Sequence, residues 1–188
     1  MKRNLPRCGL ATAATGALAL GLVGGPAASA GSDAGTAKAP ATIAIKFDGK
    51  KRVFFDGPEE VVAGQPLQIV NTTKPKTVGP HTFSLAERSV RPNTTKERKQ
   101  CFSPGKICLE IALAHKFNPK TEKVNQQLVK AGKPGWNLEF TNKTKGDSWY
   151  TEKLGETFSQ KVTAEPGTTL RFMCAVHVGM QGKIKVVE

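Results

Sequence analysis

The sequence predicts an all-β protein of one domain, a β-sandwich or barrel with one short helix. Short segments in which apolar and polar residues alternate recur along the chain, which is the pattern of half-buried strands. Clusters of Gly, Pro, Asn and Asp separate these segments, as expected for tight turns. The sequence has no internal repeat and no segment long enough to form a second domain.

The predicted strands begin near residue 42 and continue to the C-terminal residues. In the first of them, Ile43, Ile45 and Phe47 alternate with shorter or polar residues, and a DGKK turn follows. The final strand follows a short loop near the end of the sequence. The complete set of predicted strands is 42–47, 52–55, 67–70, 80–86, 106–117, 136–142, 156–164, 169–175 and 182–188.

The middle of the chain contains three segments with different patterns. The charged segment 87–100 is predicted to be a surface loop. In 106–117 the aliphatic residues stand at strict period two, which predicts a strand: Ile107, Leu109, Ile111 and Leu113. In 118–135, Asn118 can cap a helix, Pro119 suits its first position, and one apolar stripe follows, so a helix of roughly three turns is predicted.

The first thirty residues have the features of a secretory signal peptide. Lys2, Arg3 and Arg7 form a basic start, an apolar run of small residues follows, and an AASA sequence ends at Ala30. Gly and Thr interrupt the run, so it suits a cleaved signal better than a membrane anchor. We therefore expect export to the periplasm or the extracellular space, a flexible N-terminal arm at 31–40, and no transmembrane segment in the mature chain.

The chain is strongly basic, with 28 Lys and Arg against 15 Asp and Glu. Removal of the predicted signal leaves a net charge of +10. Such a surface attracts acidic proteins, anionic polymers or anionic lipid head groups, although a basic exterior that only keeps an exported protein soluble explains the charge equally well. Basic runs interleaved with aromatic residues do not occur, which argues against specific nucleic-acid binding.

Export would leave three cysteines in a compartment that oxidises thiols. Cys101 and Cys108 flank FSPGKI, whose Pro-Gly pair can turn the chain back, so we predict a disulfide worth roughly 2–3 kcal/mol on the chain-entropy model. A redox-active dithiol is a remote alternative, because the spacing is not C-x-x-C. This pairing leaves Cys174 alone, and metal ligation is one way to protect an exported thiol.

A thiol, an imidazole and a thioether stand at spacings of three near the C-terminus, on Cys174, His177 and Met180. A trigonal copper site with two His, one Cys and a weak axial Met needs one more histidine. His81 is favoured over His115, because it follows a long loop and begins a predicted strand. Two alternatives stay open: zinc, for which a thioether is a poor ligand, and a metal-free core in which Cys and Met only pack.

The segments VGPHTF and FMCAVHVGMQGKIKV resemble the cupredoxins, the blue-copper family that includes plastocyanin, amicyanin and pseudoazurin. The likeness covers roughly residues 61–86 and 156–188. It implies a cupredoxin-like Greek-key β-sandwich of eight strands over 41–188, with 87–155 as an enlarged inserted region that carries the short helix. It also implies one type 1 copper ion, with the ligands His81, Cys174, His177 and Met180.

Two residues depart from the common pattern of the family. Val176 stands where a Pro usually precedes the second His, and Thr82 stands where many members have an Asn whose amide steadies the ligand loop. The four ligands are intact. The departures therefore bear on the reduction potential and the docking surface.

The resemblance implies a monomeric electron carrier, not an enzyme, since no open substrate position or general base accompanies the ligands. Single electrons would pass between larger redox proteins through the ring edge of His177 and an apolar patch of Pro80, Val176, Val178 and Gly179. The net positive charge predicts acidic docking surfaces on those partners. The alternative is a copper-binding module for storage, delivery or assembly, with 87–155 as its interaction surface.

Overall fold

A computed structural model describes residues 38–188, so the predicted signal peptide at 1–30 and most of the predicted arm at 31–40 lie outside the described residues. The strands are β1 Ala41–Phe47, β2 Val53–Asp56, β3 Glu60–Val62, β4 Pro66–Asn71, β5 His81–Leu85, β6 Phe117–Asn118, β7 Lys123–Val124, β8 Leu128–Val129, β9 Ser148–Thr151, β10 Thr157–Lys161, β11 Thr169–Met173 and β12 Gln181–Val187. The helices are α1 Pro75–Val78, α2 Thr95–Lys99 and α3 Ile107–Ala114.

The strands form two main sheets that share one core. The four-stranded sheet has the order β10-β4-β1-β2, and the six-stranded sheet has the order β3-β12-β11-β5-β9-β8. β1 pairs with β4 in parallel and β3 pairs with β12 in parallel, while the other pairs are antiparallel. These sheets form the predicted β-sandwich, and β6 and β7 form a separate two-stranded sheet.

Alternating residues of both sheets fill the core. Ile43 and Ile45 of β1 are buried beside Leu67 and Ile69 of β4, and their polar neighbours face outward. The six-stranded sheet contributes the largest side chains, including Phe83. Burial of each such side chain stabilises the fold by roughly 1.5–3 kcal/mol. The period-two prediction for the first and last strands is confirmed.

A second apolar cluster lies on the other face of the six-stranded sheet. In and after β11, Phe172 and Cys174 belong to the main core, while Met173 and Ala175 pack in the second cluster. The inserted region supplies most of this second cluster, through residues of α3 and the loops around it. β5 is therefore buried at every position, which its sequence does not show by alternation.

The predicted strand at 106–117 is wrong, since this segment forms α3. The buried side chains stand at helical spacing and face the second cluster: Ile107, Cys108, Ile111 and Ala114. Leu113 belongs to the period-two series but is 54% exposed. The two patterns share Ile107 and Ile111, and packing against the sheet selects the helix.

The predicted helix at 118–135 is also wrong, because this segment contains parts of β6 and the short strands β7 and β8. The Asn118 side chain accepts a hydrogen bond from the Lys120 N–H and forms a turn instead of a helix cap. Lys116 and Glu122 both have φ of 54°, which a continuous helix does not allow. The inserted region does carry short helices, but at other positions.

Three further differences concern the same region. The predicted loop 87–100 contains α2, which begins with a capping box between Thr94 and Glu97. β9 was not predicted, and 136–142 makes only isolated bridges, Trp136 with Val162 and Phe140 with Ala86.

None of the helices in residues 38–188 has the length and apolar character needed to cross a membrane.

The predicted disulfide between Cys101 and Cys108 is confirmed, with 5.1 Å between the two Cα atoms. The bridge lies in the second apolar cluster and ties the start of α3 to the preceding loop. Within the described part of the chain, Cys174 is the one free cysteine, and it is buried. The cysteine that the pairing leaves over is therefore the one in the C-terminal loop.

Candidate metal centre

The structure brings three of the four predicted ligands together. The donor atoms of His81, Cys174 and His177 all lie within 4.8 Å of one another. His81 begins β5, Cys174 follows β11, and His177 lies in the loop between β11 and β12, which we call the ligand loop (174–180). Because β5 pairs with β11, His81 lies next to this loop although it is far upstream in the sequence.

The ligand loop is closed by its own backbone hydrogen bonds. The Cys174 N–H donates to the Met180 carbonyl at 3.0 Å, and the Met180 N–H donates to the His177 carbonyl at 2.7 Å. Met180 is 2% exposed and packs in the main core together with Cys174. The thioether is thus held in the same buried loop as the thiol, and its role as the axial ligand stays a prediction.

Two backbone N–H groups are directed at the Cys174 sulfur. Sγ accepts hydrogen bonds from the backbone N–H groups of Thr82 and His177, each at 3.3 Å. Burial raises the pKa of the Cys174 thiol, and these N–H donors oppose that shift. A metal cation beside the sulfur would favour the thiolate strongly, since metal binding displaces the thiol proton.

His81 has one ring nitrogen with a partner and one without. Nε2 lies 2.7 Å from Thr73 Oγ1, whereas Nδ1 is buried and has no hydrogen-bond partner. The Thr73 hydroxyl donates to Asn71 Oδ1, so it accepts from Nε2–H, and the lone pair is on Nδ1. Burial lowers the pKa of His81 to about 4, with a smaller contribution from His177. A bound metal ion would satisfy this buried nitrogen.

His177 completes the donor set. Its Nδ1 lies 3.7 Å from Cys174 Sγ, and its ring centroid lies 4.7 Å from that of His81. Burial lowers the pKa of His177, and a hydrogen bond to the backbone of Val78 opposes the shift. Two neutral imidazoles and a thiolate are the three strong ligands of a type 1 copper site. The residues present therefore fit one copper ion.

Thr82 holds the ligand loop in place, the role that the resemblance gives to an Asn. Its Oγ1 accepts a hydrogen bond from the Ala175 N–H at 2.9 Å, and its own N–H donates to Cys174 Sγ. The two bonds fasten the ligand loop to β5 beside the sulfur. Val176 is 40% exposed, and nothing in the structure explains the Val where Pro is usual.

His115 lies outside the donor cluster of His81, Cys174 and His177. It is 1% exposed, its Nδ1 donates to the Gln126 carbonyl at 2.7 Å, and its Nε2 lies 2.7 Å from Ser148 Oγ. Both ring nitrogens are therefore used within the protein. The partners of the site that sequence reasoning missed are Thr73 and Asn71, because a Thr or Asn in a loop carries no signal of its own.

The buried His115 gives an expected pH dependence of stability. Burial lowers its pKa below the usual 6.5, so the unfolded chain binds this proton first, and the free energy of unfolding falls as the pH drops below about 6.5. The contribution is at most roughly 1.4 kcal/mol per pH unit. We expect His115→Gln to flatten this slope in urea unfolding of the copper-free protein between pH 7.5 and 5. An unchanged slope would contradict the expectation, because the other two histidines titrate in both proteins.

Solved structures of copper proteins are similar to the chain. A reduced auracyanin from Roseiflexus castenholzii is 18% identical, over 81% of this chain and 99% of its own, with a TM-score of 0.40. Auracyanin A from Chloroflexus aurantiacus, described as a blue copper protein, is 20% identical over 79% and 99%, with a TM-score of 0.38. Rusticyanin from Thiobacillus ferrooxidans is 16% identical over 78% and 75%, with a TM-score of 0.34. No protein-family model and no curated protein matches the sequence.

Two features of the described residues bear on what this site can bind. The first is the buried cluster of two imidazoles and one free thiol, assembled from the start of β5 and the ligand loop. The second is the buried, unpaired Nδ1 of His81, whose tautomer presents a lone pair to that cluster. The described residues therefore form a β-sandwich with a cluster of donor atoms whose chemistry fits one type 1 copper ion.

Proposed function

We propose that the protein is an exported electron carrier, periplasmic or extracellular, that passes single electrons between larger redox proteins. The observation that carries this proposal is the buried His81, Cys174 and His177 cluster, whose donor atoms are already within 4.8 Å of one another. Copper bound by these groups supplies reversible one-electron chemistry by changing between Cu(I) and Cu(II).

The residues of the site favour a donor geometry that changes little. The Cys174 sulfur is fixed by two N–H donors, and the ligand loop is fixed to β5 by Thr82. His81 is fixed through Thr73. Because the ligands are already placed by bonds within the protein, little rearrangement accompanies a change in the charge of the site. A small rearrangement is what fast electron exchange requires.

The surface next to the ligand loop supports a docking role. His177 is half-buried, and Val176 beside it is 40% exposed. A cavity of about 470 Å³ lies alongside, and apolar residues form much of its wall, among them Pro80, Phe102 and Val176. An apolar rim around a half-buried ligand lets a partner approach closely without stripping water from charged groups.

Charged residues of both signs lie near this surface. Arg98 of α2 reaches towards the ligand loop, with its Nη1 3.8 Å from where a Cβ on Gly179 would lie. Glu122 and Glu152 line the cavity. We propose that acidic redox partners dock from the side of α2, where Lys96 and Lys99 add to the charge of Arg98.

Arg98→Glu is expected to slow electron transfer with anionic reductants. Reversing this charge removes an attraction next to the ligand loop, so the second-order rate constant with hexacyanoferrate(II) should fall severalfold at low ionic strength. The difference should shrink as salt screens the charges. Stopped-flow loss of the visible absorption of the oxidised copper protein measures the rate.

The matched control is Lys161→Glu, which makes the same change of charge on an exposed residue. Lys161 pairs with Pro66 at the start of β4, whereas Asn71 at the other end of β4 is connected to His81. We expect a much smaller effect from this variant. An equal effect of both variants would mean that net charge and not the α2 side governs the encounter.

Voltammetry and copper exchange test the proposed function directly. An electron carrier should give a reversible one-electron wave and should retain copper against a chelator in both oxidation states. A protein for copper storage, delivery or assembly should release copper readily to the same chelator and should lack a reversible wave. The second outcome would overturn the electron-carrier proposal while leaving the metal site in place.

A further inference from the structure

A continuous line of polar side chains connects His81 with the carboxylate of Glu156. His81 Nε2 lies 2.7 Å from Thr73 Oγ1, which donates to Asn71 Oδ1 at 2.8 Å. Asn71 Nδ2 donates to Thr151 Oγ1 at 3.3 Å, and Thr151 Oγ1 donates to Glu156 Oε2 at 2.7 Å. We call these four residues beyond His81 the Glu156 relay: Thr73, Asn71, Thr151 and Glu156.

The relay is buried except at its end. Asn71 and Thr151 have no exposed surface and Thr73 is 2% exposed, whereas Glu156 is half-buried. Thr151 stands directly opposite His81 in the pairing of β5 with β9, and the Asn71 N–H donates to the Glu156 carbonyl. Buried polar groups are costly unless each one is satisfied, so this arrangement needs an explanation beyond packing.

The carboxylate fixes the direction of every bond in the relay. An ionised Glu156 can only accept, so the Thr151 hydroxyl must donate to it and can accept from Asn71 Nδ2. The amide oxygen of Asn71 then accepts from the Thr73 hydroxyl, and the Thr73 N–H donates to the same oxygen at 2.9 Å. The Thr73 oxygen is left to accept from His81 Nε2–H.

The consequence for His81 is a single tautomer. With the proton held on Nε2, the lone pair is on Nδ1, which is the buried nitrogen without a partner beside Cys174 and His177. The opposite tautomer would carry a proton on Nδ1, and that proton would have to leave before a metal ion could bind. In that tautomer Nε2 would be an acceptor facing the Thr73 oxygen, whose hydrogen is already donated to Asn71. No hydrogen bond would then join His81 and Thr73.

We infer that Thr73, Asn71, Thr151 and Glu156 are positioning residues that hold His81 as the Nε2–H tautomer and keep Nδ1 free for metal. Glu156 is the anchor, because its charge sets the direction of the whole relay. The inference rests on the metal site and the carrier function proposed above, but it concerns a property of the copper-free chain. Apart from Thr73, these residues make no side-chain hydrogen bond to His81, Cys174, His177 or Met180 among the described residues.

The tautomer of His81 is measurable by ¹⁵N NMR of the copper-free protein at neutral pH. We expect the wild type to show a protonated Nε2 and an unprotonated Nδ1. Thr73→Val and Thr151→Val keep the side-chain shape but remove a hydroxyl, and both should give a mixture of tautomers. Glu156→Gln should do so as well, because an amide can donate to Thr151 as well as accept from it.

Copper affinity is the second readout, measured with Cu(I) and a chromophoric Cu(I) chelator as competitor. Thr73→Val is expected to weaken Cu(I) binding by about 10–100-fold, the usual cost of losing the partner of a ligating histidine. The loss of Cu(I) affinity in Thr151→Val should lie at the low end of this range. Thr151→Ser keeps the hydroxyl and should restore both the single tautomer and the affinity.

The matched control is Gln127→Ala. Gln127 is exposed and donates to the other carboxylate oxygen of Glu156, Oε1, so its loss leaves the relay intact. The inference is overturned if Thr151→Val and Glu156→Gln fold and keep the wild-type ¹⁵N pattern. A wild type that fails to take up copper would contradict the proposed function, but the tautomer measurement would still decide the role of the relay.

Discussion

Cys174→Ser is expected to abolish the intense visible absorption of the copper-loaded, oxidised protein. That absorption arises from charge transfer between a thiolate and copper, and a serine hydroxyl at this position would neither ionise readily nor act as a soft donor. The affinity for Cu(I) should fall by more than the roughly 10–100-fold that follows the loss of an outer partner. Optical spectra and chelator competition on the wild type and the variant measure both effects.

Two controls isolate the thiolate. The double variant Cys101→Ser with Cys108→Ser removes the disulfide but keeps Cys174, so the colour should remain. Met180→Leu should keep the colour and change the reduction potential if the thioether is the axial ligand. A colourless wild type after copper loading, or a coloured Cys174→Ser variant, would refute the type 1 copper site.

Cys174 was predictable from sequence because three independent constraints converge on it. The disulfide between Cys101 and Cys108 leaves it unpaired, its spacing to His177 and Met180 suits a ligand loop, and it follows an alternating strand. His81 was predictable because few histidines exist and only one begins a strand after a long loop. Cys and His are rare in this chain and suit few roles, so their positions in the sequence already indicate the site.

The inserted region was the least predictable part of the fold. In α3 the period-two series and the helical series share two isoleucines, and only packing against Met173 and Ala175 decides between them. These partners lie more than sixty residues downstream, so no local window contains the deciding contact. In 118–135 the local sequence offers a helix cap and an apolar stripe, but the helix does not form. Glu122 has a positive φ, and Leu128 pairs with Trp149 in the sheet.

The outer partners of the metal site were not predictable for a similar reason. Asn71 and Thr151, which were not predicted, are 80 positions apart, and Thr82, 92 positions from Cys174, was indicated only by the resemblance. Thr and Asn are common in β-proteins and loops, so neither residue type indicates a role. Their function comes from the pairing of β5 with β11 and with β9, which places them next to a ligand.

Asp147→Ala is expected to destabilise the protein strongly. The side chain is completely buried and accepts three backbone hydrogen bonds, from the N–H groups of Ala131 at 2.8 Å, Asn137 at 3.0 Å and Leu138 at 2.9 Å. An alanine would leave three partly buried donors without partners, and since an unsatisfied buried donor costs about 1–3 kcal/mol, we expect a loss of about 3 kcal/mol.

The effect should extend beyond the inserted region. The backbone of Asp147 accepts from the Leu85 N–H of β5 at 2.9 Å and donates to the Leu138 carbonyl at 2.8 Å. One residue therefore connects the inserted region with the strand that begins at His81. We expect urea unfolding of Asp147→Ala to show a lower midpoint, and the copper-loaded variant to lose its colour at lower urea than the wild type.

Asp48→Ala is the matched control, because it removes the same number of bonds at an exposed site. The Asp48 carboxylate accepts from the N–H groups of Lys50, Lys51 and Arg52 in the turn between β1 and β2. Water can replace the carboxylate there, so the loss of stability should be much smaller than for Asp147→Ala. Equal losses would mean that the number of hydrogen bonds, and not their burial, determines the cost, and would refute the role given to the buried carboxylate.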